Sequence, residues 1–216
     1  MTRFVTALLP VLISACASFP TDEYRERLLA ELPRPDDVEV LSEERYPGGV
    51  MCGEFSYFEG NGFVRATRRY IVTPDFARIR PGQDELALYC SDNPLEAAYE
   101  RLGFGPGANG WETQQRVSRD LRRLQGALET HYNEHYGLPR TLAELAAAYP
   151  DIDAAALRDP WGRPYRYEGG LGGRVVPNPK LGTLGADGRP GGAGADADIN
   201  LRNLPFLEHL LRIEGF

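Results

Sequence analysis

The stretch LGTLGADGRPGGAGADADI, residues 181–199, sets three carboxylates, Asp187, Asp196 and Asp198, among six glycines. Between Ala186 and Ala197 it carries no β-branched or aromatic residue, so it has almost nothing apolar to bury. The chemistry such a segment suits is the binding of a hard cation. Calcium takes roughly six to eight oxygens, at about 2.3–2.6 Å, from carboxylates, hydroxyls and backbone carbonyls. Glycine lets carbonyls turn inward at φ values that other residues avoid, and aspartate supplies charge on a short side chain. No sulfur or imidazole lies in the stretch, which disfavours zinc and copper. The EF-hand frame, with acids at alternating positions and a distal glutamate, is missing. The calcium-binding nonapeptide repeat of β-helices is matched only once, with Asp198 where a large apolar residue belongs. A glycine-rich linker with incidental acids is the alternative reading.

A second group with metal-ligand character is HYNEH, in which His131 and His135 stand one helical turn apart with Glu134 beside them. The spacing is not the His-Glu-x-x-His of zinc proteases, and the remaining histidine, His209, is far along the chain. Catalytic zinc normally holds three protein ligands, so the pair reads as a partly exposed helix end. No Gly-x-Ser-x-Gly nucleophile turn is present. No catalytic constellation emerges, and the expectation is a protein that is not an enzyme.

These groups must be carried by a chain of 216 residues, enough for one large domain or two small ones. With 24 Lys and Arg against 31 Asp and Glu, and no basic stripe, the charge argues against nucleic acid as a partner. At the start, Arg3, the apolar run Phe4 to Ile13 and the small residues before Cys16 have the layout of a signal peptide over 1–15. The segment ISAC resembles a bacterial lipobox. That resemblance implies that Cys16 becomes a lipid-modified N-terminus, and Ala17 and Ser18 after it imply sorting to the periplasmic face of the outer membrane. Cys52 and Cys90 then remain, an even pair that reads as one disulfide in an oxidising compartment.

Residues 16–35 are read as the anchor and a short helix ended by Pro33 and Pro35. Residues 36–102 are read as a small α+β unit: DVEVLSEERY, VMCGEFSYF and FVRATRRYIV alternate like strands, and DELALYC and NPLEAAYERLGF look helical. The unit loosely resembles small envelope proteins with a Cys-Gly-Glu strand start, and is read as an interaction or spacer module. GFGPGANG, 103–110, is read as a linker, with four glycines and one proline in eight residues. Residues 111–216 open with a long amphipathic helix whose apolar face is Val117, Leu121, Leu124, Leu128 and His135 or Tyr136, ended by Gly137. A shorter helix follows with a Thr141/Glu144 capping box, then the DPWGRPYRY turn and strand with Tyr165 and Tyr167 on one face. The tail from Leu204 to Ile213 has helical apolar spacing and is expected to pack on its own domain.

The order of long helix, GLPRTLAEL, DPWGRPYRY and LGADGRPGGAGADADI resembles the soluble domain of the major, G-type pseudopilin of type II secretion systems, over about residues 112–203. The resemblance implies an α+β fold, a long helix packed on a small antiparallel sheet with a loop wrapped around one calcium ion. It places carboxylate ligands at Asp187 and Asp198, a carbonyl ligand at Leu184, and Thr183 where the family often has serine, with Asp196 as an extra ligand, a neighbour of the site or a merely solvated acid. A pseudopilin begins with a short leader and a long apolar helix that packs in a filament; here the lipobox and residues 36–102 stand in their place. The expectation is a lipid-anchored envelope protein with an assembly or interaction role in secretion, whose partners are the membrane and secretion-system or other envelope proteins. A general periplasmic binding module is the alternative, and a metal-dependent hydrolase the third reading.

Overall fold

The computed structural model describes residues 21–32, 34–59, 64–169 and 179–216. The signal segment and the lipidation site Cys16 lie outside the described residues. Among those residues no helix is long and apolar enough to cross a membrane.

The N-terminal part is a helix on a meander. Helix α1, Thr21–Ala30, precedes a short 3-10 turn at Pro35–Asp37 and the strands β1, Glu39–Tyr46, β2, Val50–Glu59, β3, Val64–Val72, and β4, Ala77–Ile79. The sheet is antiparallel in the order β1-β2-β3-β4. Alternation in β2 and β3 sorts two apolar sets to opposite faces. Met51, Phe55, Tyr57, Tyr70 and Val72 meet Tyr24 and Leu28 of α1 and Leu32 just beyond it, while Val50, Cys52 and Ile71 meet Tyr89 on the other side. Strand β4 was not expected; three residues are too few for a legible alternation.

Helices α2, Gln83–Tyr89, and α3, Pro94–Leu102, follow. The expected disulfide joins Cys52 in β2 to Cys90 at the end of α2, with Cα atoms 6.0 Å apart. It closes a sequence separation of 38 residues, which by loop entropy constrains the unfolded chain by about 3–4 kcal/mol. Asn93 caps α3 by accepting from the Glu96 amide at 3.4 Å, and Gly103 ends it at φ 70°.

The C-terminal part is built on α4, Glu112–His135, with α5, Leu142–Ala148, a sheet of β5, Arg166–Glu168, β6, Lys180–Thr183, and β7, Ile199–Asn200, and finally α6, Leu204–Ile213. Val117, Leu121, Leu124 and Leu128 are buried in one cluster with Leu142, Leu145, Tyr165, Leu181, Ile199 and four leucines of α6. Leu88, Ala98 and Phe104 belong to the same cluster, so apolar packing runs from α2 and α3 through the 103–110 segment into α4. Beyond α4 the expectations need two corrections. His135 and Tyr136 do not continue the apolar stripe, because no residue of α4 after Leu128 is fully buried. The helix is also not ended by Gly137; Tyr136 takes the left-handed position at φ 55°, with its amide donating to the Tyr132 carbonyl at 2.8 Å. An aromatic residue in that region is strained, and Tyr136 is 86% exposed, so contacts do not offset the strain. Tyr136→Gly is therefore expected to raise stability by about 1 kcal/mol in chemical denaturation; a loss of stability would show that the ring makes contacts in solution. At α5 the capping box is offset: the Glu144 amide donates to Thr141 Oγ1 at 3.1 Å, but the Glu144 carboxylate accepts from the Arg140 amide at 2.8 Å.

The tail helix packs on its own domain as expected, and it reaches further. Phe206 lies 4.7 Å and His209 5.1 Å from Tyr89, ring centre to ring centre, and Arg212 pairs with Asp75. Through α6 the C-terminal core is joined to the disulfide-bearing side of the N-terminal sheet.

Candidate metal centre

Strand β6 delivers the chain into the loop and β7 receives it, so the loop is closed at its base by the pairing of Thr183 with Ile199. Higher up, the Ala186 amide donates to the Ala195 carbonyl at 2.8 Å. Five glycines between these points, Gly185, Gly188, Gly191, Gly192 and Gly194, have φ between 61° and 94°. At two of them the reason is also space: a Cβ on Gly185 or Gly192 would lie within 2.4 or 2.6 Å of the Asp196 carbonyl oxygen. The glycines thus let the chain wrap around the Asp196 backbone.

Outside groups hold the wrap in place. Arg163 Nη1 donates to the Gly185 carbonyl at 3.0 Å, and the Gly194 amide donates to the Gly103 carbonyl at 2.8 Å. The buried Gln114 amide group donates to the Gly194 carbonyl at 3.2 Å and to that of Gly105. Ala197 and Ile199 are fully buried beneath the loop.

Each sequence-derived candidate has a definite place in this arrangement. Asp187 is exposed, and its Oδ1 accepts from the Arg189 amide at 2.9 Å. Asp198 reaches across the loop: Oδ2 accepts from the Gly191 amide at 3.0 Å, while its backbone carbonyl accepts from Asn203 Nδ2 at 3.0 Å. Asp198 Oδ1 is buried and has no hydrogen-bond partner. Leu184 is half-buried at the entrance, and Asp196 sits in a 3-10 turn at Gly194–Asp196. Thr183 is buried, and its hydroxyl donates to Asp159 Oδ2 at 2.6 Å, so that proton is already committed.

That last contact identifies a residue that the sequence reading placed only in a turn. Asp159 is 3% exposed and accepts three bonds, from Thr183 Oγ1 and, through Oδ1, from the amides of Trp161 at 3.1 Å and Arg163 at 2.9 Å. It ties the DPWG turn to the end of β6, and Arg163 of the same turn ties it to Gly185. The local signal was an Asx turn; the Thr183 contact, 24 residues away, has no signature in the sequence.

An unpartnered, buried carboxylate oxygen costs free energy unless a proton or cation satisfies it. Among the described residues no three His, Cys, Asp or Glu side chains gather as a metal site. The candidate carboxylates Asp187, Asp196 and Asp198 are therefore not brought together as one three-carboxylate cluster, and any cation at Asp198 would need peptide oxygens as well.

Residues 109–202 match the family model for type II secretion system (T2SS), protein G. The match covers α4, α5, the second sheet and the glycine-rich loop, a little under half of the chain, and it stops just before α6. No curated protein matches the chain.

Proposed function

We propose that the C-terminal domain is a calcium-stabilised, non-enzymatic head, carried on a lipid-anchored envelope protein and serving type II secretion through contact with components of the apparatus. The family match over residues 109–202 supports the link to secretion. The observation that carries the cation assignment is the buried, unpartnered Asp198 Oδ1 inside a loop of left-handed glycines. Asp198 and Asp187 would hold the ion, with the Leu184 carbonyl beside them. When bound, calcium supplies the positive charge that neutralises these carboxylates and replaces the apolar burial the loop lacks. The protein's own part is preorganisation: Asp159, Arg163 and Gln114 fix both ends of the loop through the contacts above.

Thermal unfolding of the chain with calcium and with a chelator tests this reading. At a hundredfold excess over Kd, calcium should stabilise by about 2–3 kcal/mol, raising Tm by several degrees. Asp198→Asn should abolish the response and, by removing the buried unpartnered charge, leave the metal-free Tm equal or higher. Equal melting of the native chain with and without calcium would refute the cation site. Capture from solubilised envelopes tests the secretion role separately, and failure to recover any secretion component would overturn that role alone.

A further inference from the structure

The last turn of α4 carries a second set of donors, on a surface remote in sequence from the glycine-rich loop. His131 and His135 present their rings side by side, with centres 4.5 Å apart and planes inclined at 49°. Two imidazoles bound to one metal through nitrogen at about 2.0–2.1 Å place their ring centres roughly 4.5 Å apart at a right angle and about 5.2 Å apart at a tetrahedral one, so the observed spacing is within reach of a shared ion.

The His131 ring is also oriented for the task. Its Nδ1 lies 2.9 Å from the Gly137 carbonyl. A carbonyl oxygen only accepts, so Nδ1 carries the proton, and in the neutral ring Nε2 keeps its lone pair. Such a bond from the far ring nitrogen to a backbone carbonyl is the arrangement that fixes a metal-binding histidine. A carboxylate stands next to the pair: Glu134 Oε2 is 3.9 Å from His135 Nε2 and is itself held by the Tyr149 hydroxyl at 2.6 Å. His135 and Glu134 side chains are 56% and 55% exposed, so an ion reaches them from solvent.

From this geometry we infer that His131 and His135 form a surface site for one borderline divalent transition-metal ion, of the zinc, nickel and copper class, chemically separate from the oxygen-lined loop. Two protein nitrogens leave coordination positions for water or for a donor from a partner. The negative charge of Glu134 raises the local concentration of cations. Imidazole ligands exclude calcium and magnesium from this position, so the two sites sort metals by donor type. An ion here clamps the end of α4 just ahead of the strained Tyr136.

The test is a titration of the untagged full chain with zinc in the presence of excess calcium, followed by calorimetry, with copper electron paramagnetic resonance to count nitrogen ligands. One equivalent of zinc should bind, and copper should show two imidazole nitrogens. His135→Gln, at an exposed position that does not threaten folding, should weaken zinc binding roughly tenfold or more. His131→Gln should do the same, and Asp198→Asn should leave zinc binding intact. Absence of zinc binding, or equal binding by the native chain and His135→Gln, would overturn the assignment. Loss of the calcium response with zinc binding preserved would affect only the loop.

Discussion

Asp159→Ala is expected to cost about 4 kcal/mol of stability and lower Tm by roughly 10 °C, as read by denaturant titration and calorimetry. The carboxylate accepts three bonds at a site 3% exposed, and alanine leaves the Trp161 and Arg163 amides and the Thr183 hydroxyl without that acceptor. Hydrogen bonds to a charged group contribute about 1.5–3 kcal/mol each, and the three share one acceptor, so their sum is less than additive. Asp159→Asn keeps an acceptor for the two amides, and the Thr183 hydroxyl can rotate to accept from the new amide group. Its expected cost is about 1 kcal/mol. Equal, small effects of both substitutions would show that solvent replaces these contacts.

Acidification should destabilise the chain by about 3 kcal/mol through His209 alone. The ring is 4% exposed, both its nitrogens lack hydrogen-bond partners, and burial with Arg212 nearby pushes its pKa down to about 4, against a smaller opposing effect of Asp75. It lies beside Tyr89 of α2 and so close to Gly48 that a Cβ there would come within 2.5 Å of its Cε1. The unfolded chain, with an ordinary histidine near pH 6.5, takes up the proton first. The stabilisation is therefore complete above about pH 6.5 and is lost as pH falls towards 4, with no further loss from this group below. His209→Leu should be at least as stable at pH 7 and should lack this part of the acid slope. If the two proteins lose stability in parallel between pH 6.5 and 4, the ring accepts its proton in the folded state without cost.

What the sequence revealed and what it concealed divide by range. Periodicity located Val117, Leu121, Leu124 and Leu128 on one face of α4, and alternation marked β2 as a strand, because each signal lies within one element. The pairing of Cys52 with Cys90 was legible because cysteine count leaves few combinations. The Gln114 contact with Gly194, the Asp159 contact with Thr183 and the seating of His209 against Tyr89 join residues far apart in the chain, where no local pattern operates. At Tyr136 the local rule itself pointed to the wrong residue: Gly137 is the conformationally cheap C-cap, yet the left-handed turn falls one position earlier. Of the candidate loop, residue type suggested the cation and the glycine content suggested the wrap. The geometry added that Asp198, and not Asp187, carries the buried oxygen without a partner.

Anomalous diffraction from crystals of the chain grown with calcium is the most direct test of the account. It predicts one peak in the loop, about 2.3–2.6 Å from Asp198 Oδ1, with the Asp187 carboxylate and the Leu184 carbonyl on the same ion. A loop without a peak at saturating calcium, with the two carboxylates turned apart into water, would contradict it.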